Sequence, residues 1–135
     1  IFFADDYFGY DDALYVAARL LELLSKSDSM LSELRLDIPV YYSTPEMRLE
    51  AKNDEEKFII TKKAIEYFTN NYDCITVDGD RIKFGDGWGL VRSSNTQPVI
   101  VCRFEANSIQ RKDEIMNLVL TKLKEFGELK MDPHK

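Results

Sequence analysis

Between Asp11 and Ser25 the residues Leu14, Ala17, Ala18, Leu21 and Leu24 recur every three to four positions, the period that aligns side chains along one face of a helix. Asp11 or Asp12 stands where a carboxylate can accept from the free N–H groups of its first turn. A shorter helical piece around Leu31 to Leu34 follows, and Pro39 then opens an extended segment because the residue before a proline avoids the helical region. Ser43 to Glu50 reads as extended. Asn53 with Glu56 three residues on resembles a capping box and starts a second long helix, which Asn70-Asn71 ends. Cys74 to Val77 and Arg81 to Phe84 flank Asp78-Gly79-Asp80, a hairpin signal that would place Ile75 and Val77 on one face with Ile82 and Phe84. Gly85-Asp86-Gly87 makes another reversal before a strand over Trp88 to Arg92. In Val99 to Ala106 strict alternation of Ile100, Cys102, Phe104 and Ala106 with Val101, Arg103 and Glu105 marks a strand with one covered face. Ser108 can cap a last helix whose stripe is Met116, Val119, Leu120, Leu123 and Phe126, and Gly127 can end it. The tail from Glu128 to Lys135 is expected to fray.

Helices on one face of a largely antiparallel sheet make an α+β domain. The expected architecture is a sheet of about four to five strands under two helices, preceded by a helical segment belonging to a truncated neighbouring domain. The boundary falls near Ile38 to Tyr42, dividing the chain into residues 1–40 and 41–135. All six glycines fit this scheme at turns, caps or short strand edges.

Composition narrows the classes of function. Apolar residues make up 44% and charged residues 31%, the balance of a folded globular chain. The net charge of −6 with no basic patch argues against a nucleic-acid or anionic-membrane partner. No apolar run approaches the roughly 20 residues that span a bilayer. The abrupt apolar start at Ile1 suggests excision from something longer. Cys74 and Cys102 lack metal-ligand spacing and sit in strand-like segments, so they read as reduced core thiols of a cytoplasmic protein.

Chemistry concentrates between the third and fourth strands, where Arg92-Ser93-Ser94-Asn95-Thr96-Gln97-Pro98 gathers one cation, three hydroxyls and two amides. A phosphate dianion needs several N–H and O–H groups converging on it together with a fixed positive charge. Arg92 can supply a bidentate contact, Ser94 and Thr96 hydroxyl donors, and Asn95 a turn residue and amide donor. An ordinary solvated hairpin loop has the same residue types, since Ser, Thr and Asn are common in turns.

The stretch from Gly87-Trp88-Gly89-Leu90-Val91-Arg92-Ser93-Ser94-Asn95-Thr96-Gln97-Pro98 on to Val101-Cys102-Arg103-Phe104-Glu105-Ala106 resembles the phosphate-binding loop of the fourth domain of α-D-phosphohexomutases. The resemblance runs from about Tyr42 to Gly127, while Ile1 to about Pro39 is similar to the end of the third domain. It implies that Arg92, Ser94, Asn95 and Thr96 bind the substrate phosphate that is not being transferred, and that no residue of the chain is a catalytic acid, base, nucleophile or metal ligand. Asn95, where many members have Gly, leans toward the phosphomannomutase/phosphoglucomutase branch. Gln97 replaces the commoner Glu. The resemblance further implies a hexose phosphate substrate, partner domains preceding Ile1, and Mg2+ and a phosphoserine carried by those domains, so that the fragment alone is inactive. Mobility about Pro39 would let the clamp open and close.

Other features read more plainly. Asp5-Asp6 and Asp11-Asp12 are caps or solvated turns rather than a metal site, His134 is incidental, and Lys62-Lys63 is a solvated helix face. Trp88 can stack on a sugar, yet its strand position favours the core. Exposed apolar residues of the first helix suggest self-association when the neighbouring sheet is missing. The competing functions are a stand-alone phosphosugar or phosphopeptide module and a nucleic-acid binder on the open sheet face.

Overall fold

The computed structural model describes residues 1–3 and 6–131, and the chain divides into two compact units, Ile1–Pro39 and Val40–Lys135. In the first unit, helix α1 (Ala13–Ser25) starts at Asp12, whose Oδ1 accepts from Leu14 N–H at 2.9 Å and Tyr15 N–H at 3.1 Å. The Tyr7 hydroxyl also donates to Asp12, and these bonds hold the Asp12 carboxyl below its ordinary range. Helix α2 (Leu31–Leu34) runs into a 3₁₀ turn over Arg35–Asp37. Helix α1 buries none of its residues, and of its apolar stripe Leu14 is 84% and Leu21 67% exposed.

The second unit has a core of its own. Its elements run β1 (Tyr42–Ser43), β2 (Met47–Glu50), α3 (Asp54–Asn71), β3 (Asp73–Ile75), β4 (Asp80–Lys83), β5 (Gly87–Ser93), β6 (Val99–Ala106), α4 (Ile109–Phe126) and β7 (Lys130–Met131). The strands form an antiparallel sheet in the order β3-β4-β5-β6-β2-β7, with β1 paired to the far end of β6. The sheet exceeds the expected four to five strands through two-residue pairings at its margins. One of these corrects the reading of the tail: Lys130 and Met131 pair with Glu50 and Leu49 rather than fraying. His134 lies outside the described residues, as does Asp5.

Both helices begin on side-chain caps, Asn53 Oδ1 accepting from Glu56 N–H at 2.8 Å and Ser108 Oγ from Arg111 N–H at 3.2 Å. They lie on the sheet face that carries Ile82, Val91, Ile100, Cys102, Phe104 and Ala106, and bring Ile60, Ala64 and Phe68 from α3 and Ile115, Val119 and Leu123 from α4. Each large apolar side chain buried in full contributes about 1.5–3 kcal/mol, so this interior sustains the unit. The Cys102 thiol sits inside it, and burial pushes that thiol up to about 12.

Register corrects two expectations. Cys74 pairs with Ile82, and Ile75 with Arg81, so Cys74 shares the covered face while Ile75 turns away and Val77, in the connection, is 91% exposed. In β5 the covered positions are Gly89 and Val91, which puts Trp88 on the opposite face and not in the core. There its Nε1 donates to Glu105 at 3.0 Å and the Arg81 guanidinium lies 4.4 Å from its ring centre. Gly127 does end α4, but with φ of 173° its backbone is ordinary extended chain; it is small because a Cβ would come within 2.5 Å of Ile60 Cδ1.

Candidate functional site

The loop expected to carry the chemistry connects β5 to β6 at one end of the sheet. The Ser94 N–H donates to Val99 O at 3.0 Å and the Val99 N–H to Gln97 O at 2.8 Å, closing it tightly. Ser94 is buried at 8% exposure, and its Oγ accepts from Thr96 N–H at 3.4 Å, a long contact. Asn95, Thr96 and Gln97 are exposed. The backbone N–H groups of Asn95 and Gln97 have no acceptor among the described residues.

Beside the loop opens a cleft of about 760 Å³, lined by Arg92, Ser93 and Asn95, by Phe58, Thr61, Lys62, Ile65 and Glu66 of α3, and by the Asp78-Gly79 turn. Of the four residues expected to bind phosphate, Arg92 and Asn95 face this cleft. Ser94 and Thr96 do not line it; Ser94 is buried and Thr96 is exposed. Arg92 is held by one contact, Nη1 to Asp78 Oδ2 at 3.4 Å, between side chains that are 36% and 74% exposed. An exposed pair at that distance is worth about 0–1 kcal/mol, so a multiply charged anion can displace Asp78. Glycine is required in the facing turn: Gly79 has φ of +79°, and a Cβ there would come within 2.4 Å of both Arg92 Cβ and Val91 O.

Helix α3 takes a larger part than its sequence suggested. Thr61 Oγ1 meets Ser93 Oγ at 2.8 Å, and Lys62, expected on a solvated face, lines the cleft with no carboxylate partner among the described residues. Lys57 was not singled out at all. Its side chain is 2% exposed, and its Nζ donates to Ser94 O at 2.8 Å, Gln97 O at 2.9 Å and Asp54 Oδ1 at 2.7 Å. The signal was available, since Lys57 falls in step with Ile60, Thr61, Ala64 and Phe68 on the buried face of α3.

One buried group near the cleft is unsatisfied. Asp80 follows Gly79 directly and is fully buried, yet no N–H or O–H donor reaches either carboxylate oxygen. Burial pushes its carboxyl above the ordinary range, and the neighbouring Cys74 thiol offsets only part of that. The thiol is itself pushed up to about 12, by burial first and by Asp80 second. Among the described residues no group of three or more His, Cys, Asp or Glu is placed to hold a metal ion. Nor is any described helix long and apolar enough to cross a membrane.

The family described as phosphoglucomutase/phosphomannomutase, C-terminal domain, matches residues 46–122, from just before β2 into α4 and across the whole loop. The chain belongs to this family. It is 41% identical over 124 residues to a phosphomannomutase/phosphoglucomutase of Pseudomonas putida, covering 91% of this chain and 27% of the relative. A phosphoglucomutase of Neisseria meningitidis is 43% identical over 121 residues, 87% of this chain and 26% of the relative. The crystal structure of a phosphoglucomutase/phosphomannomutase family protein from Burkholderia thailandensis superposes with a TM-score of 0.68 at 36% identity, over 95% of this chain and 27% of that one. The chain thus spans about a quarter of the length of the relatives it matches.

Proposed function

We propose that this phosphoglucomutase/phosphomannomutase C-terminal domain grips one phosphate of a hexose phosphate while a longer protein of which it forms part moves a phosphoryl group between the 1- and 6-positions of the sugar. The observation that carries the reading is Arg92, loosely held by Asp78 at 3.4 Å, at the edge of a cleft beside a loop whose Asn95 and Gln97 amides are unclaimed. Arg92 supplies the fixed charge, the Asn95 amide and side chain supply neutral donors, and Thr96 and Ser94 add hydroxyls once the loop closes on the anion. Each charge-assisted bond contributes about 1.5–3 kcal/mol, enough for three or four to offset lost phosphate hydration.

Such a grip recognises phosphate and little of the sugar. It therefore serves a reaction in which the two phosphates of a bisphosphorylated intermediate must exchange places, because whichever phosphate is remote can occupy it. Its binding energy is then available to position the reacting end. The chain contributes binding and orientation only. The Mg2+ and phosphoserine of that chemistry would be held by other segments of the longer protein, which is expected to work in the cytoplasm; the 135 residues alone are expected to be inactive.

The test is an assay of the complete coding sequence from which this chain comes. It should interconvert glucose 1-phosphate and glucose 6-phosphate, or the mannose pair, and should encode a serine nucleophile and an acidic metal loop upstream. A complete protein that binds hexose phosphates but has neither segment and turns over neither pair would make the chain a stand-alone phosphosugar-binding module.

A further inference from the structure

We propose that Lys57 is the positioning residue that shapes the anion-binding loop from beneath, an inference that rests on the phosphate-binding reading above. Its Nζ reaches the carbonyls at the two ends of the exposed segment, Ser94 O at 2.8 Å and Gln97 O at 2.9 Å. These acceptors are 37 and 40 residues away along the chain, so the bonds tie α3 to the loop. An ammonium has three protons and no acceptor capacity, and Asp54 Oδ1 takes the third at 2.7 Å, so the group is satisfied in full although its side chain is 2% exposed.

The consequence is a division of labour within four residues. A loop that is to bind an anion must keep its carbonyl oxygens, which repel the anion, away from the amides that attract it. Lys57 claims the carbonyls of Ser94 and Gln97, while the N–H groups of Asn95 and Gln97 between and beside them remain without acceptors. The charge of this ammonium is balanced by Asp54 at 2.7 Å, so what it gives the loop is the placement of two carbonyls rather than a net positive field. Lys57 touches no ligand in this scheme. It fixes the arrangement of the groups that do.

Amide spectra of the whole chain, titrated with glucose 1-phosphate, test this with the variants Lys57→Met, Lys63→Met and Arg92→Ala. Lys63 is exposed on the same helix and lines no part of the cleft, so its substitution removes the same charge without touching the loop. Lys57→Met should raise Kd at least tenfold and speed hydrogen exchange at Ser94 and Val99, whose N–H groups close the loop, with Val101 and Phe104 in β6 still protected; Lys63→Met should change Kd less than twofold. If Arg92→Ala weakens binding and Lys57→Met changes neither Kd nor loop exchange, the positioning role is wrong and the phosphate-binding reading stands. If Arg92→Ala leaves binding unchanged, the phosphate reading fails, whereas faster loop exchange in Lys57→Met would still uphold Lys57 as the loop's anchor. Should Lys57→Met not fold, the unsubstituted chain decides: a slowly exchanging Lys57 ammonium signal coupled to the Ser94 and Gln97 carbonyl carbons supports the proposal, and a fast-exchanging one overturns it.

Discussion

Replacing Arg92 with alanine in the longer protein proposed above should lower kcat/KM for hexose phosphates by more than about tenfold, while the domain keeps its fold. The guanidinium is the fixed charge at the loop that has no strong internal partner: its one contact, to Asp78, is long and solvent-exposed. Its loss therefore costs the protein little stability and the ligand one charged bond, about 1.5–3 kcal/mol, or roughly ten- to a hundredfold. Arg92→Lys should recover part of this, because a lysine restores charge without the planar fork. Asp78→Ala provides the opposite sign, since removing the competing carboxylate should tighten phosphate binding. Steady-state kinetics on the three variants check the set; unchanged kcat/KM in Arg92→Ala would contradict the clamp.

The second large effect is a gain in stability. Asp80 is fully buried with no N–H or O–H donor on either oxygen, only the weakly donating Cys74 thiol beside it, and burying a carboxyl so poorly paired costs more than burying an apolar side chain of similar size. Asp80→Val should stabilise the second unit by about 2 kcal/mol at neutral pH, because the position lies on the covered face of β4, paired with Val91, and valine suits a buried strand. The pH dependence has a definite sign. A carboxyl whose folded pKa is raised binds more protons in the folded state than in the unfolded one. Its favourable contribution is complete below the unfolded value of 3.8 and is lost as pH rises through the folded value. The unsubstituted chain should therefore lose stability as pH rises above 3.8, and Asp80→Val should flatten that slope. Urea unfolding followed by Trp88, the one tryptophan and a residue of this unit, measures both.

The pattern of success and failure in the sequence has physical causes. Helices α1, α3 and α4 were legible because a 3.6-residue period and a polar cap at Asp12, Asn53 or Ser108 are local signals. The strand over Val99–Ala106 was legible because it lies centrally and one of its faces is packed without exception. Register was harder. The Asp78-Gly79 signal placed the turn correctly, but the connection runs from residue 76 to 79 and Ile75 pairs with Arg81, which turns Ile75 to the face opposite the helices; in β5 the phase of the alternation, with Gly89 and Val91 covered, does the same to Trp88. Pairing of Lys130 and Met131 with β2 leaves no local trace, because two residues have no period. At the site, the loop's donors were visible as a cluster of residue types. Lys57 was not, because a charged residue on a helix is read as solvated unless its phase relative to Ile60, Ala64 and Phe68 is checked.

The most direct measurement is an amide-shift titration of the unsubstituted chain with glucose 1-phosphate. Binding at the loop should move the signals of residues 92 to 97 first and farthest, with smaller changes at Thr61 and Lys62 across the cleft. Affinity should be weak, since the rest of the site would lie in the longer protein. Shifts confined to the Trp88 face of the sheet or to α1, with residues 92 to 97 unmoved at saturation, would contradict the assignment of this loop as the phosphate grip.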